Sequence, residues 1–138
     1  MKLAYLKQAG PALLAALVLV FSLTGASLAY DRQTDRQAAV NVEVQPSKLA
    51  PGQPAVFQLR LSTHSVELSQ DLTKVAALSD DAGNQYRPRS WQGSPPGGHH
   101  RSGTLTFPPL SSKAARVTLT LRGIGTAAQR SFAWELKK

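Results

Sequence analysis

The chain has 138 residues, no cysteine, and 16 lysines and arginines against 8 carboxylates, a formal charge of +8. The absence of cysteine excludes disulfides, thiolate metal centres and lipidation through a cysteine, so packing must hold the fold together. The basic excess points to anionic lipid heads, wall polymers or acidic proteins rather than nucleic acid, or simply to a solubilising surface, because the charges are scattered along the chain.

Residues 1–29 have the tripartite order of a secretory signal peptide: Lys2 and Lys7, an apolar run from Pro11 to Phe21, then Ser27-Leu28-Ala29. Small side chains at Ser27 and Ala29 place cleavage after Ala29. The alternative is a retained membrane anchor, since the uncharged stretch from Gln8 to Tyr30 approaches the roughly 20 residues that span a bilayer. Pro11, Ser22, Thr24, Gly25 and Ser27 thin its apolar content. The sequence therefore predicts export to the periplasm or the extracellular space, with the exported part the size of one domain.

Residues 30–39, containing DRQTDRQ, have no apolar period and read as a flexible tether, with the domain occupying 40–138. Val40, Val42 and Val44 alternate with polar residues as in a half-buried strand, and so do Phe57, Leu59 and Leu61. The Pro51-Gly52-Gln53-Pro54 cluster turns the chain between them. After Val66 and Leu68, Asp71–Val75 fits one short helical turn, and Val75 to Leu78 returns to extended structure. Asp80-Asp81-Ala82-Gly83-Asn84 reads as a hairpin turn, since it lacks the ligand register and terminal glutamate of a calcium loop.

Gln85 to Trp91 reads as a further strand, with Pro88 marking an edge or a bend and Trp91 a core anchor. A long loop follows. Three clear strands come last, carrying Leu105 and Phe107, then Val117, Leu119 and Leu121, then Phe132, Trp134 and Leu136. About seven short strands separated by Gly/Pro turns predict an all-β, immunoglobulin-like β-sandwich.

Chemistry concentrates in the histidines. His64 follows the second strand, and His99 and His100 sit in the Gly97-Gly98-His99-His100-Arg101 segment. Three neutral imidazoles suit Cu(II) or Zn(II), and Gly97 and Gly98 permit the bend that neighbouring histidines need to share one ion. Asp71 is the candidate carboxylate, as a ligand or as an acceptor holding an imidazole N–H, and Glu67 is a weaker one. Against this stands the reading that His64 caps a strand end while His99 and His100 are exposed loop residues.

A second grouping is Arg87, Arg89, Trp91 and Arg101, where guanidinium groups beside an indole suit anionic polymers or sugars. No Gly-x-Ser-x-Gly elbow or assembled nucleophile–base pair is present, so the chain reads as non-catalytic.

The run Val44 to Leu61, VQPSKLAPGQPAVFQLRL, resembles the first two strands of bacterial immunoglobulin-like domains. With Thr63-His64-Ser65-Val66, Trp91-Gln92-Gly93 and Gly97-Gly98-His99-His100, the mature chain resembles an uncharacterised group of secreted bacterial immunoglobulin-like domains marked by THSV and GGHH segments. That resemblance covers most of the mature chain and implies a fold but no activity. The periplasmic copper-carrier sandwiches differ at the mature N-terminus, where they use a histidine and this chain has Tyr30. The expected function is an exported, non-catalytic binding module for a divalent transition metal at His64, His99, His100 and Asp71. Its alternative is an interaction domain docking an envelope protein or anionic polymer through the Arg/Trp loop.

Overall fold

The computed structural model describes residues 30–137, and the expected leader lies outside them. Nine strands and one helical turn follow one another: β1 (Gln33–Asp35), β2 (Val40–Lys48), β3 (Pro54–Thr63), α1 (Leu72–Val75), β4 (Ala76–Asp80), β5 (Gln85–Tyr86), β6 (Ser90–Gly93), β7 (His100–Pro109), β8 (Arg116–Ile124) and β9 (Ala127–Glu135). They form two antiparallel sheets, ordered β1-β2-β3-β7-β6 and β5-β4-β8-β9. Strands β2, β3, β7 and β6 take the A, B, E and D places of the immunoglobulin fold, and β4, β8 and β9 take C, F and G. The seven expected strands are thus joined by two short edge strands, β1 and β5.

Alternation explains the core. Val40, Val42 and Val44 of β2 face Leu59 and Leu61 of β3, and all are buried. Val117, Leu119 and Leu121 supply the matching row from the other sheet. The Phe57 ring meets Phe107 edge-on at 5.8 Å and Trp134 at 5.4 Å. Each fully buried Leu or Phe contributes roughly 1.5–3 kcal/mol, so these rows replace the inter-sheet disulfide that the fold often carries.

Four expectations change. Residues 30–39 are not a flexible tether: β1 pairs with β2, and Tyr30 donates its hydroxyl hydrogen to the Leu49 carbonyl at 2.8 Å while accepting from Lys137 N–H. The Gln33 carboxamide bonds both the carbonyl and the N–H of Ala133, occupying part of the β9 edge much as a strand would. The folded unit therefore includes Tyr30, because these polar side chains make hydrogen bonds that an apolar period cannot forecast.

Gln85 to Trp91 is likewise not one strand. The chain leaves one sheet and enters the other around Pro88, splitting it into β5 and β6. The buried tryptophan is Trp134, whereas Trp91 is half-buried on the short edge strand β6. Its ring lies against Gly103, where a Cβ would meet it at 2.8 Å and the Gln92 carbonyl at 2.5 Å. Finally, the long loop shortens to residues 94–99, because β7 begins at His100.

Candidate functional site

One end of the sandwich gathers the turn from β1 to β2, the segment from β3 to α1, and the β6–β7 loop. The two histidine-bearing segments meet there through the backbone: Thr63 N–H donates to the His99 carbonyl at 3.0 Å, Leu68 N–H to Gly98, and Gly97 N–H to Leu68. Positive φ angles of 117° at Gly97 and 73° at Gly98 supply the expected bend. Its effect differs from the expected one: it presents backbone groups to the neighbouring segment, and Glu67 accepts from Gly98 N–H at 2.9 Å.

A buried guanidinium completes this junction. Arg101 is 2% exposed and donates to the carbonyls of Leu68, Gln70 and Ser94, with Trp91 beneath it at 5.7 Å. Burial lowers its pKa, which the Asp71 charge partly offsets. Arg101 is thus a staple between two loops rather than part of an exposed Arg/Trp surface. The Trp91 indole N–H is also engaged, by the Ser94 carbonyl. Arg87 lines a separate hollow beside the four-stranded sheet.

The imidazoles distribute unequally. His64 and His100 line one groove of about 390 Å³, together with Arg36, Asn41 and Ser62. His99 is exposed and engages its neighbours through its carbonyl. Asp71 caps α1, accepting from Thr73 N–H at 3.0 Å and Thr73 hydroxyl at 2.6 Å. Those bonds hold its carboxyl below the usual range, and it does not line the groove. Among the described residues no three His, Cys, Asp or Glu side chains converge as a metal-holding group. The four residues expected as a ligand set therefore divide into a pair, a loop residue and a helix cap.

Strand register arranges the groove. Asn41, Ser62 and His100 stand side by side across β2, β3 and β7, on the face opposite the core rows. Among the described residues the buried Asn41 Oδ1 has no hydrogen-bond partner. A second hollow of about 410 Å³ shares Ser62 and His100 and adds Arg60, Ser94 and Ser102. The far wall is the β1–β2 turn, in which Val40 N–H bonds the Gln37 carbonyl and both central residues, Ala38 and Ala39, have positive φ of 54° and 59°. That is a primed hairpin turn built from alanine rather than Asn-Gly, at roughly 1–2 kcal/mol of strain per residue.

A second buried guanidinium, missed in the sequence, fixes this wall. Arg130 of β9 is 1% exposed, pairs with Asp35 at 3.0 Å, and donates to the carbonyls of Gln37, Val40 and Ile124. Burial raises the Asp35 carboxyl, but donation from Gln37 and the Arg130 charge outweigh it and hold the group below its ordinary value. Strand parity offered a signal: Arg101 shares the inward side with Leu105 and Phe107, and Arg130 with Phe132 and Trp134.

Carboxylates elsewhere are also spent on the fold. Asp80 accepts from the N–H groups of Ala82 and Asn84 and from the Tyr86 hydroxyl, while Asp81 accepts from Ala115 and Arg116 N–H. Exposed Arg32, Arg36, Arg60, Lys74, Arg87 and Arg122 belong to neither ion pair found among the described residues, Arg130–Asp35 and Arg116–Glu135. The surface is left with cations facing water. Comparison with known proteins gives no match to a family, to a curated protein or to a solved structure.

Proposed function

We propose that the chain is an exported, non-catalytic binding module that takes an anionic, hydroxyl-rich ligand, such as the acidic sugar units of an envelope polymer, in the His64–His100 groove. The carrying observation is the mixed donor and acceptor set on one wall-to-wall surface. Arg36 offers a planar cationic donor, Ser62 a hydroxyl that both donates and accepts, and His64 and His100 imidazoles that can do either. Arg60 extends the cationic character along the adjoining hollow.

Titration with an oligogalacturonate tests this reading. Binding that falls steeply with salt, and weakens at least tenfold in the R36Q/H100A variant, is the expected result. Equal affinity of the two proteins would overturn it.

A second reading, Cu(II) or Zn(II) held by two imidazoles, draws support from His64 and His100 sharing the groove. Metal binding that survives in H64A/H100A would remove it.

A further inference from the structure

We infer that the opposite sheet carries a separate phosphate-binding pocket, formed by Lys74, Arg87 and Arg122. It goes beyond the groove described above and shares no residue with it. The pocket holds about 230 Å³ and is lined by these three cations with Gln85, Tyr86 and Ala77 among its other walls. That is below the roughly 300–1,000 Å³ typical of drug-sized ligands, and suits one compact polar group.

The three cations come from three different places in the chain. Lys74 lies in the last turn of α1, Arg87 directly follows β5, and Arg122 projects from β8 on the outward side of its strand. Pro88 restricts the backbone of Arg87 to extended conformations, which limits the directions its side chain can take. Ala77 stands on the outward side of β4, opposite Thr120, and its small side chain leaves the floor open.

Among the described residues no carboxylate lines the pocket. The carboxylate nearest in sequence, Asp71, acts electrostatically with Lys74 but is bound to Thr73 through its cap. Among the described residues none of the three cations joins an ion pair. Three like charges around one hollow repel each other, and a bound dianion replaces that repulsion with attraction. Two guanidinium groups can each grip two oxygens of a phosphate, and the lysine adds a point charge. The Gln85 amide supplies a neutral donor. A tetrahedral anion with several equivalent oxygens matches this set better than a single carboxylate does.

The test is a titration of the protein with inorganic phosphate, followed by NMR at the backbone amides of Lys74, Arg87 and Arg122. Saturable shifts are expected there, with affinity falling at least fivefold in R87Q/R122Q. The charge-matched variant K48Q/K113Q, altered at exposed positions outside both pockets, should change less than twofold. Equal weakening in the two variants, or shifts confined to Arg36 and His100, would overturn the pocket. Vesicles of phosphatidylglycerol, compared with phosphatidylcholine, separate the sources. Retention on the former, reversed by phosphate, assigns a lipid head group, and phosphate binding without vesicle retention assigns a soluble phosphate. Binding to neither overturns the inference.

Discussion

The two ends of the sandwich solve the same loop problem with largely opposite charges, Glu67 and Asp71 being carboxylates that also serve at the histidine end. At the end holding residues 80–84 and 110–115, carboxylates and a phenol gather loop N–H groups: Asp80 and Asp81 accept from four backbone donors, and the Tyr86 hydroxyl accepts from Ser111 N–H. At the histidine end, Arg101 and Arg130 gather loop carbonyls from inside the fold. Acceptors consume the N–H groups of a loop and leave little for a ligand. Buried guanidiniums leave the outer surface untouched, which frees Arg36, Asn41, His64 and His100 to face a groove.

The largest expected effect follows from breaking the carbonyl-gathering end. Arg130→Met leaves Asp35 partly buried without its cation and takes one donor from each of three carbonyls, and should cost roughly 3–5 kcal/mol in urea unfolding. A loss under about 1 kcal/mol would show that the N-terminal segment is not clamped as described. Arg101→Met should act more locally, by separating residues 64–71 from 94–99. Hydrogen exchange at Leu68 and Gly97 N–H should accelerate at least tenfold, while exchange in β8 changes little.

Acid acts on both ends. Asp35, Asp71, Asp80 and Asp81 all have lowered carboxyl pKa values in the folded state. A depressed folded value adds stability that is complete above the unfolded carboxylate range near pH 4 and is lost as pH falls through the folded values. Stability should therefore decline progressively below about pH 4, and D80N/D81N should flatten that decline. An unchanged acid profile in D80N/D81N would contradict the role given to the residue 80–84 turn. At Asp80 burial works the other way, raising its pKa, yet the donors from Asn84, Tyr86 and the turn backbone prevail.

The smallest effect concerns the strained turn. Replacing Ala38 and Ala39 by Asn and Gly suits positive φ and should stabilise the protein by about 1 kcal/mol. Loss of stability would mean that the alanine methyl groups pack more favourably than the turn is strained.

These contrasts also mark what the sequence makes legible. Alternating Val, Leu and Phe residues place the principal strands and the all-β sandwich, because an apolar residue at every second position has one consistent way to be buried. Asp71–Val75 is legible as a helical turn for a different, local reason, an N-cap aspartate before a leucine. The N-terminal strand was not legible, since Gln33, Asp35 and Tyr30 join the fold through hydrogen bonds to residues far along the chain. The convergence of the His64 and His99 segments could be posed from sequence but not decided there. It depends on β3 and β7 pairing so that Ser62 faces His100. Arg101 and Arg130 were readable in principle from strand parity, but a charged residue on an inward position is ordinarily taken to end the strand.

The central claim is that the histidine end is a binding surface held open from within. Its most direct measurement is the map of amide shifts on adding an oligogalacturonate to the wild-type protein. Saturable shifts at Arg36, Asn41, Ser62, His64 and His100, with residues 80–84 unmoved, are the predicted result. Shifts absent from those five positions would contradict it.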